Sequence, residues 1–168
     1  LAGDNPPEFL LTHPVTSSRV SDAFNAADQI EFTGGKKNTI NFEFIKGRLK
    51  ARYNSSSPQA AVRYFEKLYI DNPSNENKYA YISSLSSNGE ASTALELLAE
   101  IIEKFPKNLI LNITKSEILL SAQQLDQAEQ SINQVLNISP GNYPASIIKS
   151  KILSSKREVI KAEEILRD

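Results

Sequence analysis

The side chains that could do chemistry in this chain are few. His13 is the only histidine and there is no cysteine, so a zinc centre would find one nitrogen donor and no thiolate here. A hydrolytic zinc needs three protein ligands and a bound water. The helical pair of histidines that zinc peptidases use cannot be made from one histidine. Gly34-Gly35-Lys36-Lys37 sets glycines beside cations, but without the strand and spacing of a phosphate-cradling loop it reads as a charged turn. No catalysis is therefore expected from these 168 residues alone, and no cofactor is expected to be held by them.

Composition narrows the partners. Hydrophobic residues make up 40% of the chain, enough for a packed core. No apolar run approaches the roughly 20 residues needed to span a bilayer. A net charge of −1 gives no general attraction to nucleic acid or to an anionic membrane. The absence of cysteine suits the cytosol and a bacterial periplasm equally. There is no methionine, and the chain opens on Leu1, so it reads as a piece of a longer or processed protein.

The elements are announced by a period. Ala61, Ala94, Ala128 and Ala162 recur at intervals of 33 or 34 residues, and four residues after each comes Phe65, Leu98, Ile132 or Leu166. Pro73, Pro106 and Pro140 follow the first three alanines at a spacing of twelve. A small residue lets one helix approach its neighbour, and the large residue one turn later fills the space between hairpins. The proline stops the helix and redirects the chain. One hairpin cannot bury its apolar face alone, so the pattern predicts an all-α stack, a helical-hairpin solenoid of about four repeats.

Along the chain, residues 1–16 are proline-rich and irregular, and Ser17 or Ser18 caps a helix reaching about Ile30 through Val20, Ala23, Phe24 and Ala27. Residues 1–31 form one part, 32–40 a linker, and 41–168 the repeats, at about 41–73, 74–106, 107–140 and 141–168. The first hairpin is expected over Asn41–Tyr53, with Phe42, Ile45 and Leu49 as its apolar face, and Gln59–Asp71, behind Pro58 at a helix start. Asn88-Gly89 turns the second hairpin, and Asp126 is a candidate N-cap in the third.

This pattern resembles the tetratricopeptide repeat, whose period is 34. Ser116 and Ser150 stand twelve before the alanine, where that family prefers a small residue, and Leu85, Leu119 and Leu153 stand nine before, where it prefers a large one. Repeat one departs, with Leu49 and Arg52 at those places, and repeat two has Ile82 at the small site. In that family the first helices of the repeats line a concave face that binds protein segments. Transferred by register, the resemblance implies a groove of Lys46, Lys50, Tyr53, Asn54, Tyr79, Ser83, Ser86, Ile113, Glu117, Leu120, Ile147 and Lys151, with Tyr53 and Tyr79 as aromatic anchors. Lys46 fits one place of the family's chaperone-tail clamp, but Lys50 stands where asparagine is expected, so that ligand is not.

Residues 6–14, Pro-Pro-Glu-Phe-Leu-Leu-Thr-His-Pro, followed by Arg19 and a helix, resemble the segment that closes the peptidase domain of HtpX-like and BepA-like zinc metallopeptidases. In the BepA-like branch, tetratricopeptide repeats follow on the same chain. The resemblance implies a parent enzyme, a zinc-dependent metalloendopeptidase whose His-Glu-x-x-His helix lies outside this sequence. It implies that His13 contacts zinc or bound substrate in that parent and acts as a gate, where the plain reading has it cap the helix start or pack beside Pro14. It implies that Arg19 anchors the last helix to a carboxylate of the missing domain, where the plain reading is a solvated arginine. It also implies a bacterial periplasmic location, in quality control of outer-membrane proteins. The partners would be unfolded or stalled clients, or the outer-membrane assembly machinery. The other reading is a free-standing helical-repeat scaffold with no peptidase relation.

Overall fold

The computed structural model describes residues 20–22, 25, 26, 39–53 and 57–167. The chain divides into two compact units, residues 1–37 and 38–168. In the first, the described residues are helical and exposed. His13, Arg19, the proline-rich stretch and Asn54 lie outside the described residues.

The second unit contains eight described helices: α1 (Ile40–Tyr53), α2 (Pro58–Asp71), α3 (Asn75–Ser87), α4 (Ala91–Lys104), α5 (Leu109–Ser121), α6 (Leu125–Ile138), α7 (Tyr143–Ser155) and α8 (Val159–Arg167). Among the described residues there is no strand. The starts of α3, α5 and α7 obey the same 34-residue period as the alanines. Ser74, Asn108 and Asn142 precede them, and each side chain accepts a hydrogen bond from a backbone N–H of the first turn, at 3.1, 3.2 and 3.0 Å. That satisfies donors the helix itself leaves unpaired. Ser57 does the same for α2 at 3.2 Å, ahead of Pro58. Asp126 is not an N-cap. The preceding residue of α6 is Gln124, with no side-chain cap, and Asp126 sits within the first turn.

The turns inside the hairpins repeat as well. Gly89, Gln123 and Arg157 all adopt left-handed backbone, with φ of 83°, 59° and 65°. Each is followed by the same closing bond, from Glu90 N to Leu85 O, Gln124 N to Leu119 O and Glu158 N to Leu153 O, at 3.0, 2.9 and 2.9 Å. This is the left-handed helix ending that glycine adopts without strain. Only the first of the three positions has glycine.

The period alanines lie at the closest approaches: Ala61, Ala94, Ala128 and Ala162 are between 0% and 4% exposed. Phe65, Leu98 and Ile132 are completely buried one turn later, whereas Leu166 is half-exposed. Burial of each such side chain stabilises the fold by about 1.5–3 kcal/mol. One core cluster joins Tyr79, Ile82, Leu85, Leu98, Ile101, Leu111 and Ile118 across α3–α5. A second joins Ile113, Leu119, Ile132, Val135, Ile148 and Ile152 across α5–α7.

Helix α1 departs from the hairpin plan. It packs chiefly on α3, while α2 also packs on α3. The side of α1 turned inward is Phe44 and Gly47, and Phe42, Ile45 and Leu49 are 50%, 49% and 51% exposed. The expected apolar face is therefore the outer one. The reason is backbone contact: Gly47 approaches so near that a Cβ there would lie 2.4 Å from the Glu76 carbonyl oxygen. Only a glycine-bearing face could make that approach.

Candidate functional site

The register-equivalent inner positions of α3 and α5 are Tyr79, Ser83, Ser86, Ile113 and Glu117, and α1 comes down over several of them. Phe44 enters between two rings, 5.2 Å from Tyr79 and 6.1 Å from Phe105 by centroid, the second edge-on at 75°. Polar bonds tie the rim. Arg48 Nη2 donates to both oxygens of Glu117 on α5 at 2.8 Å, and Asn108 Nδ2 donates to Asn41 Oδ1 at 2.6 Å. Lys46 and Lys50 both pair with Glu76 of α3, the first at 2.9 Å. Thus α1 bridges α3 and α5.

The charges are tuned by that seat. Burial alone would raise the Glu76 carboxyl, but the hydrogen bonds from Lys50 and Lys46 outweigh it and hold it below the usual carboxylate range. Burial works against the Arg48 cation too, and the Glu117 carboxylate outweighs it, raising the guanidinium further. The Tyr79 phenol is pushed up by burial.

Where α1 ends, a cavity of about 360 Å³ remains open. Its walls are Arg48, Ala51 and Arg52 of α1, Ser57, Pro58 and Ala61 at the head of α2, Tyr79, Ser83, Ser86 and Ser87 of α3, and Thr114, Glu117 and Ile118 of α5. Most of its polar groups are already engaged. The Tyr79 hydroxyl meets Thr114 Oγ1 at 2.5 Å. Ser83 Oγ donates to Tyr79 O at 2.8 Å and Ser87 Oγ to Ser83 O at 3.0 Å. Arg52 has no carboxylate partner among the described residues and lies over the Tyr53 ring at 5.9 Å.

The structure thus gathers four of the residues placed by register, Tyr79, Ser83, Ser86 and Glu117, around one cavity. Tyr79 must be corrected as an anchor: it is completely buried beneath Phe44 and presents no ring to a partner. Tyr53, by contrast, is 72% exposed. Lys46 and Lys50 are spent on Glu76. Ile113 is buried and Leu120 and Ile147 are half-buried, while Lys151 is exposed; these four stand outside the cavity. Arg48, Arg52 and Thr114 line the cavity without having been singled out by register. The signal for the arginines lay in repeat one's departure from the family pattern at Leu49 and Arg52.

Residues 85–147, from the end of α3 into α7, match the tetratricopeptide repeat family model. The chain contains tetratricopeptide repeats. The capped first helices, the left-handed turns and the buried alanines are the geometry of that match, and they continue into α8. The tetratricopeptide array is a protein–protein interaction module, and its partners are proteins. Among the described residues no helix is long and apolar enough to cross a membrane, and no group of three or more acidic, histidine or cysteine side chains is arranged to hold a metal.

Proposed function

We propose that this array is the recognition part of a zinc-dependent metalloendopeptidase, presenting unfolded or stalled outer-membrane proteins, or their assembly machinery, to a protease domain in the bacterial periplasm. The observation that carries the recognition part is the inner face between α1, α3 and α5. It holds a solvent-open cavity lined by both apolar and polar side chains, among them Arg52, which has no carboxylate partner among the described residues. Convergent polar groups in a concave apolar setting are what a binding site for a chain segment requires. The peptidase part rests on residues 6–14, on Arg19 and on the order of the two parts along the chain. On that reading zinc belongs to the parent, His13 contacts zinc or bound substrate there, and this segment is not itself an enzyme.

Two experiments test the parts separately. A photo-crosslinker at Ser83 or Ser86, which line the cavity, is expected to capture an unfolded outer-membrane β-barrel precursor, and one at Glu103 on the outer side of α4 is not. Equal capture from both faces would refute inner-face recognition. For the peptidase part, the gene should encode a His-Glu-x-x-His motif and a signal peptide upstream of Leu1, and the full-length protein carrying His13→Ala should change in zinc affinity or activity. Absence of the motif ends the peptidase reading, and unchanged zinc affinity and activity end the gate.

A further inference from the structure

The junctions between successive hairpins are built alike and closed differently. Helix α3 packs on α2 and α4, α5 on α4 and α6, and α7 on α6 and α8. At the first junction the Tyr81 hydroxyl donates to Glu66 Oε1 at 3.2 Å, and Lys78 pairs with Glu100. At the third, Lys149 Nζ donates to Glu129 Oε1 at 2.5 Å, and Lys156 Nζ donates to Glu129 Oε2 and Asp126 Oδ1, both at 2.7 Å. The middle junction keeps the cation and lacks its acceptor. Lys115 stands 34 residues before Lys149, and Leu95 stands 34 before Glu129. Among the described residues no ion pair joins α4, α5 and α6, and Lys115 has neither a hydrogen bond nor an ion pair. A cavity of about 360 Å³ opens there, walled by Leu95, Leu98, Ala99 and Ile102 of α4 and Leu119 of α5. It shares no lining residue with the cavity at the end of α1.

We propose that this cavity holds the hydrocarbon chain of a single-chain aliphatic carboxylate, whose head group pairs with Lys115. The walls offer leucine, isoleucine and alanine, so a polar chain would surrender its bonds to water there without replacement. The volume lies at the lower end of the range of about 300–1,000 Å³ for small-molecule sites, which suits one chain. Lysine lays its methylene stem along such a wall and keeps its ammonium in water, where an amphiphile's head would also sit. The head is a carboxylate because that is what the next junction supplies at the same place, from Glu129 to Lys149. Glu103 also lines the cavity and opposes an anion. Its register equivalents, nine residues after the period alanines, are Ile70 and Asn137, and all three positions are exposed, so no partner for that place is built into the array. Its charge penalises a doubly charged head most, which favours a carboxylate over a phosphate monoester.

The test follows the methyl resonances of Leu95, Leu98, Ile102 and Leu119 by NMR in the full 168-residue chain, during titration with octanoate, 1-octanol or octylamine. Octanoate should shift these methyls saturably and bind about two- to five-fold more tightly than octanol, the scale of an exposed ion pair. Octylamine should bind most weakly. Hexanoate, two methylenes shorter, should bind roughly ten-fold more weakly than octanoate. Lys115→Ala should remove the preference for the carboxylate and keep the dependence on chain length, and Glu103→Gln should tighten octanoate binding. Leu95→Glu copies the third junction, so its carboxylate should engage Lys115 and displace the ligand. Ala99→Phe fills the cavity from an exposed position and should abolish binding with circular dichroism unchanged. Lys107→Ala, an exposed lysine outside the lining, should leave binding as it is. Equal affinity for the three head groups, no saturable shift up to about 10 mM, or a folded Ala99→Phe protein that binds octanoate normally would overturn the proposal. Capture by the Ser83 and Ser86 crosslinkers involves the other cavity, so either reading can fail without the other.

Discussion

Gly47→Ala separates two opposed physical effects, and the structure decides between them. In an exposed helix the exchange stabilises by about 1 kcal/mol, because alanine surrenders less backbone freedom on folding. At Gly47 the new Cβ would lie 2.4 Å from the Glu76 carbonyl oxygen, 3.2 Å from Ala80 N and 3.3 Å from the Glu76 carbonyl carbon. All three are backbone atoms of α3, so no side-chain rotation relieves the contact. Helix α1 would have to retreat by roughly 1 Å to restore ordinary van der Waals separation. Overpacking of this kind costs about 1–3 kcal/mol. The retreat would also loosen Phe44, which is completely buried one turn earlier and whose full truncation belongs to a class costing about 3–5 kcal/mol. With about 1 kcal/mol added for the loosened packing of Phe44 and the propensity gain of about the same size subtracted, the net expectation is a loss of about 1–3 kcal/mol. Urea unfolding should show a lower midpoint, and amide hydrogen exchange should quicken first in α1. Gly141→Ala, where an added Cβ has nothing within 4 Å, is the control for steric neutrality. A Gly47→Ala protein more stable by about 1 kcal/mol would show that α1 does not bear on α3 as described.

Gln123→Gly should stabilise by about 1 kcal/mol in denaturant titration, since Gln123 holds a φ of 59° that costs an L-residue about that much; the reverse change, Gly89→Gln, should destabilise similarly. Tyr79→Phe should cost only about 1 kcal/mol, because Thr114 Oγ1 already donates to Ile110 O at 2.9 Å and keeps a partner when the phenol is removed. Glu129 bonds Lys149 at 2.5 Å and Lys156 at 2.7 Å, and these hydrogen bonds lower its carboxyl from an ordinary 4.5 to about 2. Its folded value is the depressed one, so its stabilisation is full above pH about 4.5 and is lost as the pH falls toward about 2. Thermal unfolding from pH 5 to pH 2 should therefore be steeper in the wild type than in Glu129→Gln, and parallel curves would count against the pairing. A double-mutant cycle of Arg48→Ala and Glu117→Ala should return a coupling of up to about 1 kcal/mol, the scale for a half-exposed ion pair; zero coupling would detach α1 from α5.

The array was legible because its determinants are local and repeated. A small residue at the closest approach, a large one a turn later and a breaking proline each act within one hairpin, so the sequence period transmits them directly. Ala94, Leu98 and Pro106 state the same thing as Ala128, Ile132 and Pro140. The capping residues Ser74, Asn108 and Asn142 obey the period too, as do the left-handed positions 89, 123 and 157. Glutamine and arginine at two of those positions hid the turn from a reading that looks for glycine.

The candidate site was legible only in part. Register placed Ser83, Ser86 and Glu117 on the inner face, because side-chain direction follows helical phase. It could not foresee that Tyr79 is roofed by Phe44, or that Arg48 reaches across to α5. Those facts depend on where α1 docks. Its apolar residues are distributed around the whole helix, so periodicity favoured the stripe of Phe42, Ile45 and Leu49 over the face that carries Phe44 and Gly47.

The sequence by itself thus determined an all-helical repeat and the residues at its interior spacings, since those follow from short-range sterics and burial. Tertiary structure alone decided the seat of α1, because a glycine's value lies in the backbone it approaches, and that backbone belongs to α3. The cavity at the end of α1 and the pairing of Arg48 with Glu117 on its rim both descend from the seat of that one helix.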